Sequence, residues 1–147
     1  MNYTILPAND PGLQDQDFLC AQRQAEEFFG TARDQSQIEI GAASKKWVLA
    51  NIPECWRLIK VEGRVVGQTF ILPCRAELMH SFIGGALTER ELFAAVQQEA
   101  ALSYEALYTC SIIVEEPHRG QGLARQALTS SIDEIITRRK PKPYLCG

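Results

Sequence analysis

The stretch Val114–Ala124, VEEPHRGQGLA, holds two glycines one residue apart, Gly120 and Gly122, with Arg119 directly before them. Glycine lacks a Cβ, so a ligand can come close to the backbone and φ can be positive. If a helix begins just after Gly122, its first amide groups have no partner within the helix, and its dipole adds positive charge. These properties predict an anion site, most naturally for phosphate or pyrophosphate. The alternative is a strand-to-helix turn whose glycines serve the backbone alone.

Two common nucleotide-binding loops do not match this stretch. A Walker loop requires Gly-Lys-Ser/Thr, which does not follow the glycines. The dinucleotide fingerprint requires a third glycine or alanine at the position where Arg125 stands. A nucleotide-binding α+β protein of another kind, which would prefer ATP or NAD, stays open.

The residues on either side of the loop predict a strand and a helix. Leu107–Glu115 is rich in β-branched and aromatic residues and favours a central strand. After Gly122 apolar residues return at helical spacing, and basic residues in the last turn complement the helix dipole. Pro141 ends this helix, and residues 143–147, PYLCG, predict the start of another strand. The apolar positions of the helix are Leu123, Ala127, Leu128, Ile132, Ile135 and Ile136, and the basic ones are Arg138, Arg139 and Lys140.

The first half of the chain predicts a strand, two helices and an antiparallel hairpin. Asn2–Pro7 alternates like a short strand, and Gln14–Phe29 has helical apolar spacing that Gly30 would terminate. A second helix falls within residues 36–54 and ends before Pro53, because a residue that precedes proline disfavours the helical conformation. Two alternating runs, Cys55–Val61 and Arg64–Leu72, are joined by Glu62-Gly63-Arg64 and should pair as antiparallel neighbours.

The segment Arg75–Tyr104 is helical by composition. Thr88 is followed three residues later by Glu91, which is the spacing of a capping box. An apolar face follows along the same helix at Leu92, Phe93, Val96 and Ala100.

Arg119-Gly120-Gln121-Gly122-Leu123-Ala124 fits the pattern R-x-x-G-x-A directly after a strand and at a helix start. In this respect the sequence resembles the GCN5-related N-acetyltransferase (GNAT) family, and the order of the other elements is compatible with that resemblance over most of the chain. The resemblance implies an α+β, three-layer fold with a mixed, mostly antiparallel central sheet flanked by helices. It implies one acetyltransferase-like domain over residues 1–147. The family joins the third and fourth strands by a short turn, so residues 75–104 depart from its pattern and are interpreted as an inserted pair of helices.

The resemblance also implies where acetyl-coenzyme A would bind. In the family the loop grips the pyrophosphate through backbone amides, and the preceding strand pairs with the pantetheine arm. Carried onto this sequence, the implied cofactor-binding residues are Ile112, Ile113, Val114, Arg119, Gly120, Gln121, Gly122, Leu123 and Ala124.

The implied reaction is the direct transfer of an acetyl group from the thioester to a primary amine, without a cysteine nucleophile. A carboxylate is a suitable base for the amine, and Glu115 is the first candidate, with Glu116 and Glu54 as alternatives. A backbone N–H at or near Val114 would stabilise the charge that develops on the thioester oxygen. We assign no chemical role to five other residues. We expect Tyr108 and Cys110 in the core, His118 exposed in the loop, and Trp47 and Trp56 in the core or a pocket wall.

The sequence departs from the family pattern at its C-terminal end. Family members continue past the fifth strand with a helix and two strands, whereas this sequence stops at Gly147. The missing part commonly carries the tyrosine that protonates the departing thiolate and one wall of the acceptor pocket. A shortened form, a lobe supplied by a partner, and an acetyl-coenzyme A-binding module without transfer therefore remain alternatives. Strands missing from the sheet would leave an exposed edge, which favours a homodimer.

The composition of the chain restricts the kinds of partner that we expect. The chain has 147 residues and a net charge of −3, which is typical of one soluble domain and gives no basic footprint for nucleic acid. We expect a cytoplasmic protein without a membrane segment, because no secretory signal and no apolar run of about 20 residues is found. Five scattered cysteines without a CxxC pair predict free thiols and no metal site. The acceptor, a small-molecule or peptide amine, has no sequence code.

Overall fold

The computed structural model describes residues 2–30, 38, 41–98 and 104–138. They form four strands, five α-helices and two short 3₁₀ helices. The strands are β1 (Tyr3–Pro7), β2 (Trp56–Val61), β3 (Arg64–Cys74) and β4 (Ala106–Val114), and the helices are α1 (Asp15–Phe29), α2 (Ala42–Asn51), α3 (Ala76–Ile83), α4 (Glu89–Gln97) and α5 (Leu123–Arg138). The 3₁₀ helices are Pro53–Cys55, before β2, and Glu116–His118, after β4. The predicted strand within residues 143–147 and the end of the last predicted helix lie outside the described residues.

The four strands form one antiparallel sheet in the order β1-β2-β3-β4. Helices cover both of its faces. On one face Gln68 of β3 donates a hydrogen bond to the Ala21 carbonyl of α1, with 2.6 Å between the heavy atoms. On the other face Arg57 of β2 donates to Ser131 of α5 at 3.2 Å. The α+β architecture, with helices on both faces of an antiparallel sheet, is confirmed.

The predicted hairpin is confirmed, and its turn is shorter than the sequence indicated. Val61 pairs with Arg64, so only Glu62 and Gly63 lie between the strands. Their φ angles are +51° and +77°, which is the left-handed pair that a two-residue turn requires in order to match the twist of the strands. Glycine adopts this conformation without strain, whereas Glu62 does so at a cost.

The predicted helical insertion is present as α3 and α4 between β3 and β4. Its capping box is confirmed: the Glu91 amide donates to the Thr88 hydroxyl at 3.1 Å, and the Thr88 amide donates to the Glu91 carboxylate at 2.9 Å. The segment packs against the α1 side of the sheet, where Phe93 meets Phe70 with ring centroids 6.0 Å apart. Residues 99–103 lie outside the described part of the chain.

The central position predicted for β4 is not found in the described part of the chain, where β4 pairs only with β3. Its composition was misleading because residues 106–112 are partly or well exposed, although most of them are apolar or β-branched. A β-bulge interrupts the pairing of β4: Phe70 pairs with Ser111 and Ile71 with Thr109, so Cys110 is the extra residue. Bulges bend a strand and are common beside functional sites.

A partly buried charged cluster fixes α5 on the sheet. The Arg57 guanidinium, which is 5% exposed, donates to the Ser131 hydroxyl, to the Ser130 carbonyl at 3.1 Å and to the Glu134 carboxylate. Arg138 contacts Glu134 at 3.3 Å from one turn further along the helix. Multiple hydrogen bonds are what a buried guanidinium needs to offset its desolvation. The cluster therefore holds the middle and C-terminal part of α5 against β2.

Candidate functional site

The junction between β4 and α5 has the geometry that the glycine loop predicted. After Glu116–His118 the chain passes through Arg119 to Gly120 and Gly122, whose φ angles are +81° and +74°. A Cβ built on either glycine would meet no atom within 4 Å, so the backbone conformation rather than crowding calls for glycine there. The same open space leaves the backbone at the start of α5 accessible.

An open cleft of about 510 Å³ lies at this junction. It is lined by Phe28, Ile112, Val114, His118, Arg119, Gly120, Gly122, Leu123, Ala124 and Arg125. Seven of the nine predicted cofactor-binding residues are among these ten. Two arginines and a helix N-terminus face the cleft, and none of the described residues that line it is acidic. The cleft is therefore electropositive in a chain whose net charge is −3.

The two predicted binding residues that do not line the cleft are Ile113 and Gln121. Ile113 is 1% exposed because alternate residues of a strand face opposite sides, and its side chain points into the core. Ile112, by contrast, is 49% exposed and faces the cleft with Val114. The Gln121 side chain donates to the Tyr3 hydroxyl of β1 at 2.9 Å instead.

The backbone of β4 offers hydrogen-bonding groups toward the cleft. The Glu115 amide donates to the Val66 carbonyl of β3 at 2.8 Å, so the amide and carbonyl of Ile113 also point to β3. Those of Ile112 and Val114 must then point to the opposite edge, away from β3. The Val114 carbonyl confirms this direction, because it accepts a hydrogen bond from Arg119 Nε at 2.8 Å.

Arg119 is the cation predicted at the mouth of the site. Its guanidinium lies over the ring of Phe28, with 5.8 Å between Cζ and the ring centroid. Phe28 belongs to the last turn of α1 and is 48% exposed, although it is large and apolar. The helical pattern placed Phe28 on an apolar face and gave no signal that it lines the cleft. Arg125 was also missed as a site residue, although it lies in the same first turn of α5 as the predicted Leu123 and Ala124.

Glu115, the first candidate for the base, lies just beyond β4 and is engaged by two neighbours. Its Oε1 accepts from Arg64 at 3.0 Å, and its Oε2 accepts from the Gln24 amide at 2.9 Å. It does not line the cleft. The alternatives are also outside it: Glu116 is exposed, and Glu54 is fully buried, with Oε2 3.8 Å from Arg138.

His118 is not the exposed loop residue that the sequence suggested. It is 6% exposed, because its ring packs edge-on against Tyr3 with centroids 5.6 Å apart. Its Nδ1 lies 2.9 Å from the Tyr3 hydroxyl. The expectation failed because β1, more than a hundred residues away in sequence, covers the loop.

Three further residues that the sequence analysis considered, Tyr108, Cys110 and Trp56, lie outside the cleft. Tyr108 donates to Glu89 of α4 at 2.7 Å and packs against Phe82, and burial together with Glu89 raises its pKa above the ordinary value. Burial raises the pKa of the Cys110 thiol well above its ordinary value. Trp56 is buried against Phe18, with ring centroids 5.3 Å apart.

Four of the five cysteines lie in the described part of the chain. Cys20, Cys55, Cys74 and Cys110 are free thiols, and Cys146 lies outside the described residues. Within the part of the chain that the structure covers, no three His, Cys, Asp or Glu side chains are grouped as metal ligands. None of the described helices is both long enough and apolar enough to cross a membrane.

Structural comparison shows that the chain has the fold of the GNAT acetyltransferases. The chain superposes on Naa50 of Arabidopsis thaliana, in complex with the bisubstrate analogue CoA-Ac-MVNAL, with a TM-score of 0.53 and 11% identity; the match covers 95% of this chain and 68% of that one. An apo form of agmatine N-acetyltransferase gives a TM-score of 0.53 at 15% identity, over 93% of this chain and 71% of the other.

A third similar structure is the loading GNATL domain of CurA from Lyngbya majuscula, with a TM-score of 0.52 and 10% identity. The match covers 91% of this chain and 58% of that domain. Neither a protein-family model nor a curated protein sequence matches the chain. At these identities the likeness extends to the fold and not to the substrates.

Proposed function

We propose that this protein binds acetyl-coenzyme A in the cleft and transfers the acetyl group to a primary amine. The observation that carries the proposal is the electropositive cleft at the N-terminus of α5. This cleft is continuous with the backbone amide and carbonyl groups of β4 that point away from β3. Phosphoryl groups bind to free amides at a helix start, and an amide-bearing arm pairs with strand backbone. One cleft that offers both features suits a ligand with a pyrophosphate and a pantetheine arm.

The protein would act mainly by binding this ligand in a fixed position and orientation. The amides around Gly120–Ala124 would hold the pyrophosphate, with Arg119 and Arg125 adding positive charge. The outward-facing groups of Ile112 and Val114 would pair with the pantetheine amides. The Val114 carbonyl is bound by Arg119, so this arginine side chain would have to move when the arm pairs there.

The proposed reaction forms one bond and breaks another. The amine nitrogen attacks the thioester carbonyl carbon, a C–N bond forms, the C–S bond breaks, and coenzyme A leaves as a thiolate that takes up the proton released by the amine nitrogen. A backbone N–H of β4, at Val114 or nearby, would stabilise the oxygen as it becomes negative. Glu115 stays the predicted base, and it would have to leave Arg64 or Gln24 to take the proton.

A second candidate function is acetyl-coenzyme A binding without transfer. It is favoured by the absence of any carboxylate among the described residues that line the cleft. The two functions share the cleft and differ in product. Mass spectrometry of an amine panel distinguishes them: a product heavier by one acetyl group supports transfer, and binding without any product supports the alternative. Agmatine and a peptide that begins MVNAL are reasonable first members, because they correspond to what two of the similar structures act on or contain.

The test of the site uses Gly122→Ala with Gly85→Ala as its matched control. Both glycines have positive φ (+74° and +84°), and an added Cβ meets nothing within 4 Å at either position. Both variants should therefore lose a similar stability, roughly 1–2 kcal/mol. Only Gly122→Ala places a methyl group in the cleft. We expect acetyl-coenzyme A to raise the Tm of the wild type and of Gly85→Ala but not of Gly122→Ala. Unchanged binding by Gly122→Ala, or no binding by the wild type at millimolar cofactor, would contradict the proposal.

A further inference from the structure

One arginine side chain bridges two walls of the cleft. Arg119 Nε donates to the Val114 carbonyl of β4 at 2.8 Å, and the guanidinium lies over the Phe28 ring of α1, with 5.8 Å between Cζ and the ring centroid. Val114 and Phe28 both line the cleft. Within the described residues these are the two contacts of the Arg119 side chain, and neither partner is acidic. The arginine therefore fills the space between α1 and the outward edge of β4 at Val114.

The short 3₁₀ helix between β4 and the glycine loop gives Arg119 this position. The His118 amide donates to the Glu115 carbonyl at 2.9 Å. The Arg119 amide donates to the Glu116 carbonyl at 3.2 Å. These two bonds turn the chain back at the end of β4, so that the side chain of Arg119 reaches the carbonyl of Val114, the last residue of the strand.

This position of Arg119 conflicts with the pairing proposed for the pantetheine arm. The Val114 carbonyl is one of the outward-facing groups to which an amide of the arm would donate. A guanidinium N–H is a charged donor and forms a stronger hydrogen bond than the neutral amide of the arm. A thioester on a bare pantetheine arm would have to displace the arginine without offering it another partner. We call the arrangement in which Arg119 contacts Val114 and Phe28 the closed position.

A diphosphate changes this balance because it offers Arg119 a stronger partner. A guanidinium and a phosphoryl group match in geometry and form two parallel charge-assisted hydrogen bonds, whereas the closed position supplies a hydrogen bond to a neutral carbonyl and a contact with a ring. A ligand shifts a conformational equilibrium only through its different affinity for the two states. A diphosphate favours the open position by binding the guanidinium, whereas binding of the bare arm is weakened by the full free energy of the closed contacts.

We propose that Arg119 makes the cleft selective for thioesters whose arm carries phosphoryl groups. Without an anion the side chain closes the edge of β4 at Val114, and a bound diphosphate draws the guanidinium away and opens that edge to the arm. Arg119 is thus a specificity-determining residue as well as a source of positive charge. The inference rests on the proposed function, because the arm and the diphosphate are those of acetyl-coenzyme A. By linkage, the diphosphate and the arm must each strengthen the binding of the other.

The test uses the two halves of the ligand separately, as inorganic pyrophosphate and as S-acetyl-pantetheine, which has no phosphate. In calorimetry the wild type should bind S-acetyl-pantetheine roughly three- to thirty-fold more tightly in saturating pyrophosphate than in sodium chloride of equal ionic strength, as expected when a hydrogen bond and a cation–π contact no longer oppose the arm. Arg119→Met lacks the closed position. It should bind S-acetyl-pantetheine more tightly than the wild type by a similar factor, show no gain from pyrophosphate, and prefer acetyl-coenzyme A over S-acetyl-pantetheine less than the wild type does.

Arg125→Met is the matched variant within the same cleft. It removes an equal charge from the lining, but no contact joins Arg125 to β4 in the described part of the chain. It should weaken the binding of acetyl-coenzyme A and keep a gain from pyrophosphate, and the Tm of each variant shows whether it is folded. If pyrophosphate gives the wild type no gain, or if Arg119→Met binds S-acetyl-pantetheine no more tightly than Arg125→Met, the inference is overturned while acetyl-coenzyme A binding stands. If the wild type does not bind acetyl-coenzyme A at all, the proposed function fails and the inference fails with it.

Discussion

Gly67 of β3 is the position where one added methyl group should disturb both the fold and the cleft. A Cβ built there would lie 2.5 Å from the Ile113 carbonyl oxygen and 3.3 Å from Val114 Cα. The first distance is about 0.9 Å short of the 3.4 Å at which ordinary contact begins. Both atoms belong to the backbone of β4, so no side chain can rotate to relieve the crowding. In Gly67→Ala the two strands must therefore separate at the point where Val114 faces the cleft.

The expected cost follows from this geometry. Crowding in a well-packed core typically costs 1–3 kcal/mol, and the stiffer unfolded chain of an alanine variant returns about 0.4–1 kcal/mol. We expect Gly67→Ala to lose about 1–2 kcal/mol of unfolding free energy, which corresponds to a Tm lowered by roughly 3–8 °C. Acetyl-coenzyme A binding should weaken as well, because the outward groups of β4 shift.

The assay is urea unfolding, with acetyl-coenzyme A affinity measured in parallel. Gly41→Ala is the control, since a Cβ at Gly41 meets nothing within 4 Å and its φ is −83°. Gly41 is the N-cap of α2, where alanine is less favourable than glycine, but the stiffer unfolded chain of an alanine variant offsets about 0.4–1 kcal/mol of that loss, so the net change should be small. If Gly67→Ala were as stable as the wild type, the close approach of β3 and β4 would be refuted. If it were destabilised but bound the cofactor normally, the proposed path along β4 would be refuted.

Two further expectations concern stability alone. Thr88→Ala removes one half of the capping box of α4 and should cost about 1 kcal/mol in urea unfolding, whereas the exposed Glu77→Gln should cost little; equal losses would contradict the role of the cap. Burial raises the pKa of the Cys74 thiol from its ordinary 9.0 to about 11, and the pKa of Tyr108 is raised in the same direction. A raised pKa means that the folded state favours the protonated group. The stability that the protonated group contributes is therefore fully present below pH 9 and is lost as the pH rises through 11. The Tm should therefore fall between pH 9 and 11, less steeply in Cys74→Ala, and a flat profile would refute the assignment.

The sequence by itself determined the local elements near the site. The positive-φ glycines before a helix and the capping box at Thr88 depend on a few adjacent residues, and each was found where the pattern predicted it. The hairpin turn was found at the predicted place, one residue shorter than predicted. Seven of nine predicted binding residues line the cleft because strand, loop and helix start are contiguous in the chain. The loop pattern also predicted the fold, because it carries the resemblance to the GNAT family and its residues are contiguous in the chain.

Tertiary structure alone decided what surrounds that loop. His118 is buried by Tyr3 of β1, Phe28 of α1 forms one wall, and Glu115 is engaged by Arg64 and Gln24. These contacts join residues that are 51 to 115 positions apart, and no short-range pattern specifies them. The register of β4 with β3 decides which face of the sheet each side chain occupies, so that Ile112 faces the cleft and Ile113 faces the core. Local spacing determines where an anion can meet free amides, whereas long-range packing determines which side chains are left to bind it.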